Sequence, residues 1–93
     1  MPDRILTWHP DGKKRVKIEA VKYRLVRSTI SDILKEHTEI TYRQLNSIAK
    51  DHLESKFEGS IPWYVVTVKL DLEARGIIER IPKTSPHKIK MKQ

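Results

Sequence analysis

The side chains best suited to contact a nucleic acid lie on one segment in the second half of the chain. At about 100° per residue, a helix here would bring three polar side chains to one face: Tyr64, Thr67 and Arg75. Such groups hydrogen-bond to phosphate oxygens and base edges, and Lys69 would flank them. Asp71 shares the face, and its carboxylate would repel phosphate. The pattern therefore favours contacts with the DNA backbone over base readout.

Basic residues are concentrated at the two ends of the chain. Residues 1–27 hold eight basic and three acidic side chains, and residues 83–93 hold four basic and no acidic ones. The formal net charge of the 93 residues is +7. Because clustered cations release counterions from DNA phosphates, we expect backbone contacts from Lys83, Lys88 and Lys90.

Patterns typical of catalysis or metal binding are missing from the sequence. There is no cysteine, which excludes disulfides, thiol catalysis and Cys-ligated metal centres. The four histidines lack the spacing of a metal site, and neither a phosphate-binding glycine loop nor a nucleophile-elbow motif occurs. We therefore expect no catalytic residue, no metal or cofactor, and no small-molecule substrate.

Turn residues and apolar spacing predict the elements that position these side chains. Turn chemistry at residues 9–13 predicts an N-terminal arm or hairpin over residues 1–18, packed on a domain formed by residues 19–93. The positive charge of this arm comes from Lys13, Lys14, Arg15 and Lys17. Helical spacing and capping residues predict three helices, at residues 19–36, 42–55 and 61–75, with residues 38–40 as a brief link. Alternating segments at residues 77–81 and 87–91 predict a C-terminal hairpin, joined by a loop over residues 82–86.

The third predicted helix has two apolar stripes on nearly opposite sides. The first stripe consists of Ile61, Val65, Val68 and Leu72, and the second of Trp63, Val66, Leu70 and Ala74. A surface helix ordinarily has one such stripe, so we expect both to be covered. The first would meet the other two helices. The second would meet the N-terminal arm, the base of the hairpin or a second subunit, which makes Trp63, Val66 and Leu70 candidate interface residues.

The segment Leu70–Arg80, with the sequence LDLEARGIIER, places an apolar pair near a helix end, then Gly76, two aliphatic residues and a charged strand. Together with the order of three helices and a hairpin, it resembles the winged helix-turn-helix domain over residues 20–92. The resemblance implies an α+β fold, a three-helix bundle with a C-terminal two-stranded wing, here preceded by the N-terminal arm. In DNA-binding members the third helix enters the major groove and the wing contacts the backbone or the minor groove. Other members bind proteins or dimerise.

Two further segments, Leu6–Pro10 and Phe57–Arg80, resemble a family of short bacterial proteins with no assigned function. That resemblance implies no activity for this chain.

We expect a non-catalytic binding module, and double-stranded DNA held mainly through its phosphates is the leading prediction. The alternative is a protein-interaction or dimerisation module without a nucleic-acid role, whose partner would be a second copy of the chain or another protein. RNA binding is a further alternative. Salt separates these classes, because only phosphate contacts weaken steeply with ionic strength. The first residues lack the apolar stretch of a signal peptide, and no run approaches the ~20 apolar residues of a membrane helix. We therefore expect a cytoplasmic protein with no membrane partner.

Overall fold

The computed structural model describes residues 3–12, 15–83 and 86–92. The elements within them are β1 (Arg4–Leu6), β2 (Lys17–Glu19), α1 (Ala20–His37), β3 (Glu39–Thr41), α2 (Tyr42–Leu53), α3 (Ile61–Ala74), β4 (Ile78–Ile81) and β5 (Lys88–Met91). The predicted mixed α+β class with three helices is confirmed, and the strands form two small antiparallel sheets. Lys13 and Lys14 of the predicted arm, and residues 84–85 of the predicted loop, lie outside the described residues.

Local capping groups define where the second helix begins and where the third helix begins and ends. The Thr41 hydroxyl accepts a hydrogen bond from the Gln44 N–H (3.1 Å), and the Gln44 amide oxygen accepts one from the Thr41 N–H (2.9 Å). This reciprocal pair is the predicted capping box at the start of α2. Ser60 caps α3 by accepting from the N–H of Trp63 (3.4 Å). Gly76 follows α3 with φ of +74°, the left-handed conformation that commonly ends a helix.

The hydrophobic core lies where the three helices meet the second sheet. From α3, the side chains of Val65, Val68 and Leu72 are fully buried, so the first apolar stripe faces inward. Each buried aliphatic side chain contributes about 1.5–3 kcal/mol, which fixes the rotation of α3 about its axis. The remaining large buried members of this cluster are Ile18, Tyr23, Val26, Ile30, Ile33, Leu34, Ile40, Leu45, Leu53, Ile78 and Ile89.

The two sheets differ in size and in how far apart their strands lie in the sequence. β1 pairs with β2, with Ile5 opposite Ile18. The second sheet has the strand order β3-β5-β4, with Ile89 of β5 between Ile40 and Arg80. The predicted two-stranded hairpin is thus part of a three-stranded sheet. The segment predicted as a link between the first two helices supplies the extra strand, which is too short to show an alternating pattern of its own.

Candidate functional site

Asp71 is the centre of a buried polar cluster. Its side chain is fully buried, although the sequence places it on a face that would meet DNA. The carboxylate accepts hydrogen bonds from the Trp8 backbone N–H (2.8 Å), the Tyr23 phenol and the Arg75 Nε (2.9 Å). Burial, and secondarily the hydrogen bond to Asp71, raises the pKa of Tyr23 to about 12. Asp71 thus joins the N-terminal arm, α1 and α3.

Arg75, predicted to face a DNA groove, holds the N-terminal arm. Its guanidinium carbon lies 4.8 Å from the centre of the Trp8 ring, and its Nη2 donates to the Leu6 carbonyl over 3.4 Å. Arg15 also lies over the Trp8 ring, at 5.5 Å. Such cation–π contacts are worth about 0.5–1 kcal/mol at exposed sites. Because the Nε of Arg75 is bound to Asp71, fewer of its N–H groups remain for a phosphate.

Lys69, predicted to flank the DNA-contacting face, is buried. Only 7% of the residue is exposed, and its Nζ lies 3.0 Å from the Glu73 carboxylate. The same ammonium lies 5.5 Å from the centre of the Tyr42 ring. Glu73 also accepts from the Nε of Arg80 at 3.1 Å. A buried ammonium of this kind needs its carboxylate partner, so these contacts hold Lys69 away from open solvent.

Tyr64 belongs to an aromatic cluster at the start of α3. Its ring makes edge contacts with Phe57 (4.8 Å between centroids) and Trp63 (4.9 Å). The ammonium of Lys22 lies 5.4 Å from the Tyr64 ring centre. A Cβ added to Gly59 would lie 3.1 Å from the ring, and Gly59 has φ of +114°. The turn before α3 therefore requires glycine, and Tyr64 is only partly accessible.

The second apolar stripe of α3 faces outward and is only partly covered. Trp63 is 44% exposed, while Val66, Thr67 and Leu70 are each half-buried. Asp71, where the arm is attached, lies about 100° around the helix from Leu70. The outward face therefore consists of apolar side chains and one threonine, with no cation or amide suited to base readout.

The wing, defined as the β4–β5 hairpin, carries balanced charge on the face away from the core. Lys90 lies 3.5 Å from the Glu79 carboxylate and is opposite Glu39 in the β3–β5 register. Lys88 is half-buried. Lys83, at the turn after β4, is exposed and forms no ion pair within the described part of the chain. Of the three predicted wing lysines, Lys83 is thus the most available to an anion.

A cleft of about 480 Å³ separates the start of α2 from the wing. We call it the basic cleft. Its lining includes Arg43 of α2, Lys69 of α3 and Arg80 of β4. Sequence patterns did not indicate this site, because these residues lie far apart along the chain and come together only when β3 pairs with β5. The local signal for this site in the sequence was Arg43, a basic residue two positions after the predicted cap of α2 at Thr41.

Residues 3–12, 15–83 and 86–92 contain neither a metal-binding cluster nor a helix that could span a membrane. No group of three His, Asp or Glu side chains in these ranges could hold a metal ion. In the same ranges, no helix has the length and apolar character needed to cross a membrane.

Comparison with known proteins identifies the family of this chain. Neither the curated proteins nor the solved structures yield a similar chain. The family described as "Family of unknown function (DUF6958)" matches residues 4–89. This range includes the N-terminal arm, the three helices and the start of β5, and it agrees with the resemblance to a family without an assigned function. The chain therefore belongs to the DUF6958 family of unknown function.

Proposed function

We propose that the three helices and the wing form a winged-helix domain, and that this domain is a non-catalytic association module. The order α1, α2, α3 and then the β4–β5 hairpin supports the first part, since it is the order implied by the resemblance. β3 adds a third strand to the wing sheet.

The outward face of α3 is the observation that carries the association function. It combines a tryptophan that is 44% exposed with the half-buried Val66 and Leu70. Tryptophan is enriched among the residues that dominate binding energy in protein interfaces. The cations predicted to serve this helix, Lys69 and Arg75, are engaged in ion pairs within the chain. The face therefore suits a second protein surface better than a phosphate backbone, and the partner proposed for the test is a second copy of this chain.

Sedimentation velocity over a concentration series tests this proposal. We expect a reversible dimer with a dissociation constant in the micromolar range, and we expect Val66→Asp to weaken it about tenfold or more, because it buries a charge in the interface. Val21→Asp is the matched control, since Val21 is 71% exposed on α1. Wild-type protein that stays monomeric at about 1 mM, or equal weakening by both variants, would overturn the proposal.

Double-stranded DNA, held through its phosphates, is the second candidate. The net charge of +7 favours it, as does Lys83, which is exposed and has no ion pair among the residues that the structure describes. In fluorescence anisotropy with a ~20 bp random duplex, four to six phosphate contacts predict a slope near −4 to −5 for log K against log salt. Lys83→Glu should lower the affinity and reduce this slope by about one. An unchanged affinity for this variant would contradict a wing contact.

A further inference from the structure

The basic cleft holds more positive than negative charge. Arg43 is exposed and has no ion pair within the described residues. Lys69 and Arg80 share one carboxylate, that of Glu73. Three cations therefore face one anion, and a further anion in the cleft would balance the excess. The side chain of Arg80 is 50% exposed and uses only its Nε for Glu73, which leaves the outer edge of its guanidinium for a ligand.

The walls of the basic cleft are suited to more than a bare ion. The phenol ring of Tyr42 and the side chains of His87 and Ile89 line it beside the cations. Its volume of about 480 Å³ lies within the usual range of small-ligand sites, about 300–1,000 Å³. Planar and apolar walls next to a cationic end match a ligand with a flat ring system joined to an anion.

The cationic end is also held in position before any ligand arrives. The Lys69 ammonium is fixed between the Glu73 carboxylate at 3.0 Å and the Tyr42 ring. Arg80 is fixed by Glu73 at 3.1 Å. Binding would then require the ordering of only one long side chain, Arg43, which limits the entropy lost on association.

We propose that the basic cleft binds the phosphate of a nucleotide, with Arg43 and Arg80 contacting the phosphate oxygens and the base lying against Tyr42 and His87. Guanidinium groups bind phosphate with paired hydrogen bonds, which distinguishes them from ammonium groups. This site is separate from the outward face of α3 and does not depend on it. It differs from the sequence-based expectation of no small-molecule substrate, which followed from missing local motifs, whereas the cleft is lined by residues that are distant in the sequence.

Isothermal titration calorimetry of the full chain tests the proposal with adenosine 5′-monophosphate, adenosine and inorganic phosphate as probes. We expect the nucleotide to bind at least about tenfold more tightly than either part alone, because each part lacks one set of contacts. A short single strand with a 5′-phosphate is compared with the same strand carrying a 5′-hydroxyl. This comparison shows whether the site binds the phosphorylated end of a strand or only a free nucleotide. Equal affinity of adenosine and its monophosphate would overturn the proposal, as would no binding of the nucleotide or the strands.

Arg43→Gln and Lys50→Gln form the matched pair of variants for this site. Both residues are exposed on α2, and only Arg43 lines the cleft. We expect Arg43→Gln to weaken nucleotide binding about tenfold, the loss of a charge-assisted hydrogen bond, while Lys50→Gln leaves it unchanged. Equal effects of the two variants would show a general response to net charge and refute the site. Thermal unfolding of each variant verifies that it remains folded.

Discussion

Replacing Asp71 by asparagine tests whether a buried charge holds the N-terminal arm. The substitution keeps the shape of the side chain and removes its charge. The Asp71 carboxylate accepts from the Trp8 N–H, the Tyr23 phenol and the Arg75 Nε. Asparagine supplies one acceptor oxygen and turns an NH₂ group toward these donors. We expect the arm to detach more readily and the whole domain to lose stability.

The size of the loss follows from the burial of the two charged partners. A hydrogen bond to a charged group contributes about 1.5–3 kcal/mol, and breaking a fully buried ion pair costs about 3–5 kcal/mol. Asp71 is fully buried, whereas the Arg75 side chain is 32% exposed, so its guanidinium can turn toward water. We therefore expect the free energy of unfolding to fall by about 3 kcal/mol. For a domain of this size, that lowers Tm by roughly 12–24 °C.

Chemical denaturation and amide hydrogen exchange measure the two effects separately. Asp51→Asn is the control, because Asp51 is exposed on α2 and makes no ion pair with any described residue. Faster exchange of the Trp8 amide in Asp71→Asn, with little change in Asp51→Asn, would show that the arm is released. If the two variants were equally stable, the carboxylate would not be anchoring the arm and the reasoning would be refuted.

Three further predictions concern Tyr23, the α2 cap and a buried amide. The pKa of Tyr23 is about 12 in the folded protein, above the ordinary value of 10. The protonated phenol therefore contributes its full share to the free energy of unfolding below pH 10, and this share is lost as the pH rises from 10 to 12. Urea melts should show about 2–3 kcal/mol less stability at the upper pH, and Tyr23→Phe should lack this part of the pH dependence. Thr41→Ala should lose about 1 kcal/mol with the capping box, and an unchanged urea midpoint would contradict a stabilising cap. Asn46→Leu should gain about 1 kcal/mol in stability, because the Asn46 Oδ1 is buried and has no hydrogen-bond partner among the described residues; a lower midpoint would show that the amide is needed.

Local signals in the sequence were sufficient to place the three helices. The predicted range 19–36 differs from α1 by one residue at each end, and the range 61–75 differs from α3 by one residue at the C-terminal end. This accuracy reflects the uninterrupted apolar spacing in α1 and two clear end signals in α3, the Ser60 cap at its start and Gly76 after its end. Both kinds of signal act within a few residues of the position that they determine.

Features that depend on distant partners could not be predicted from the sequence. β3 exists because Ile40 is opposite Ile89, a residue near the other end of the chain. Helical spacing placed Asp71 and Lys69 on polar faces of the third helix, whereas both residues are buried in the structure. Asp71 is buried by an arm more than 60 residues earlier in the sequence, and Lys69 by packing beside Glu73 and Tyr42. Periodicity reports the geometry of one helix and contains no information on what lies against it.

The contact between Trp8 and Asp71 also sets the order of events during synthesis. The arm leaves the ribosome before α3, because the anchoring carboxylate of Asp71 and the Arg75 guanidinium follow Trp8 by 63 and 67 residues. Until then Trp8 and Leu6 have no α3 to attach to, and the newly made β1–β2 ribbon is only marginally stable by itself. The arm is therefore translated before the helix that anchors it, and a ribosome-bound chain that ends before Asp71 presents these apolar side chains to chaperones and proteases.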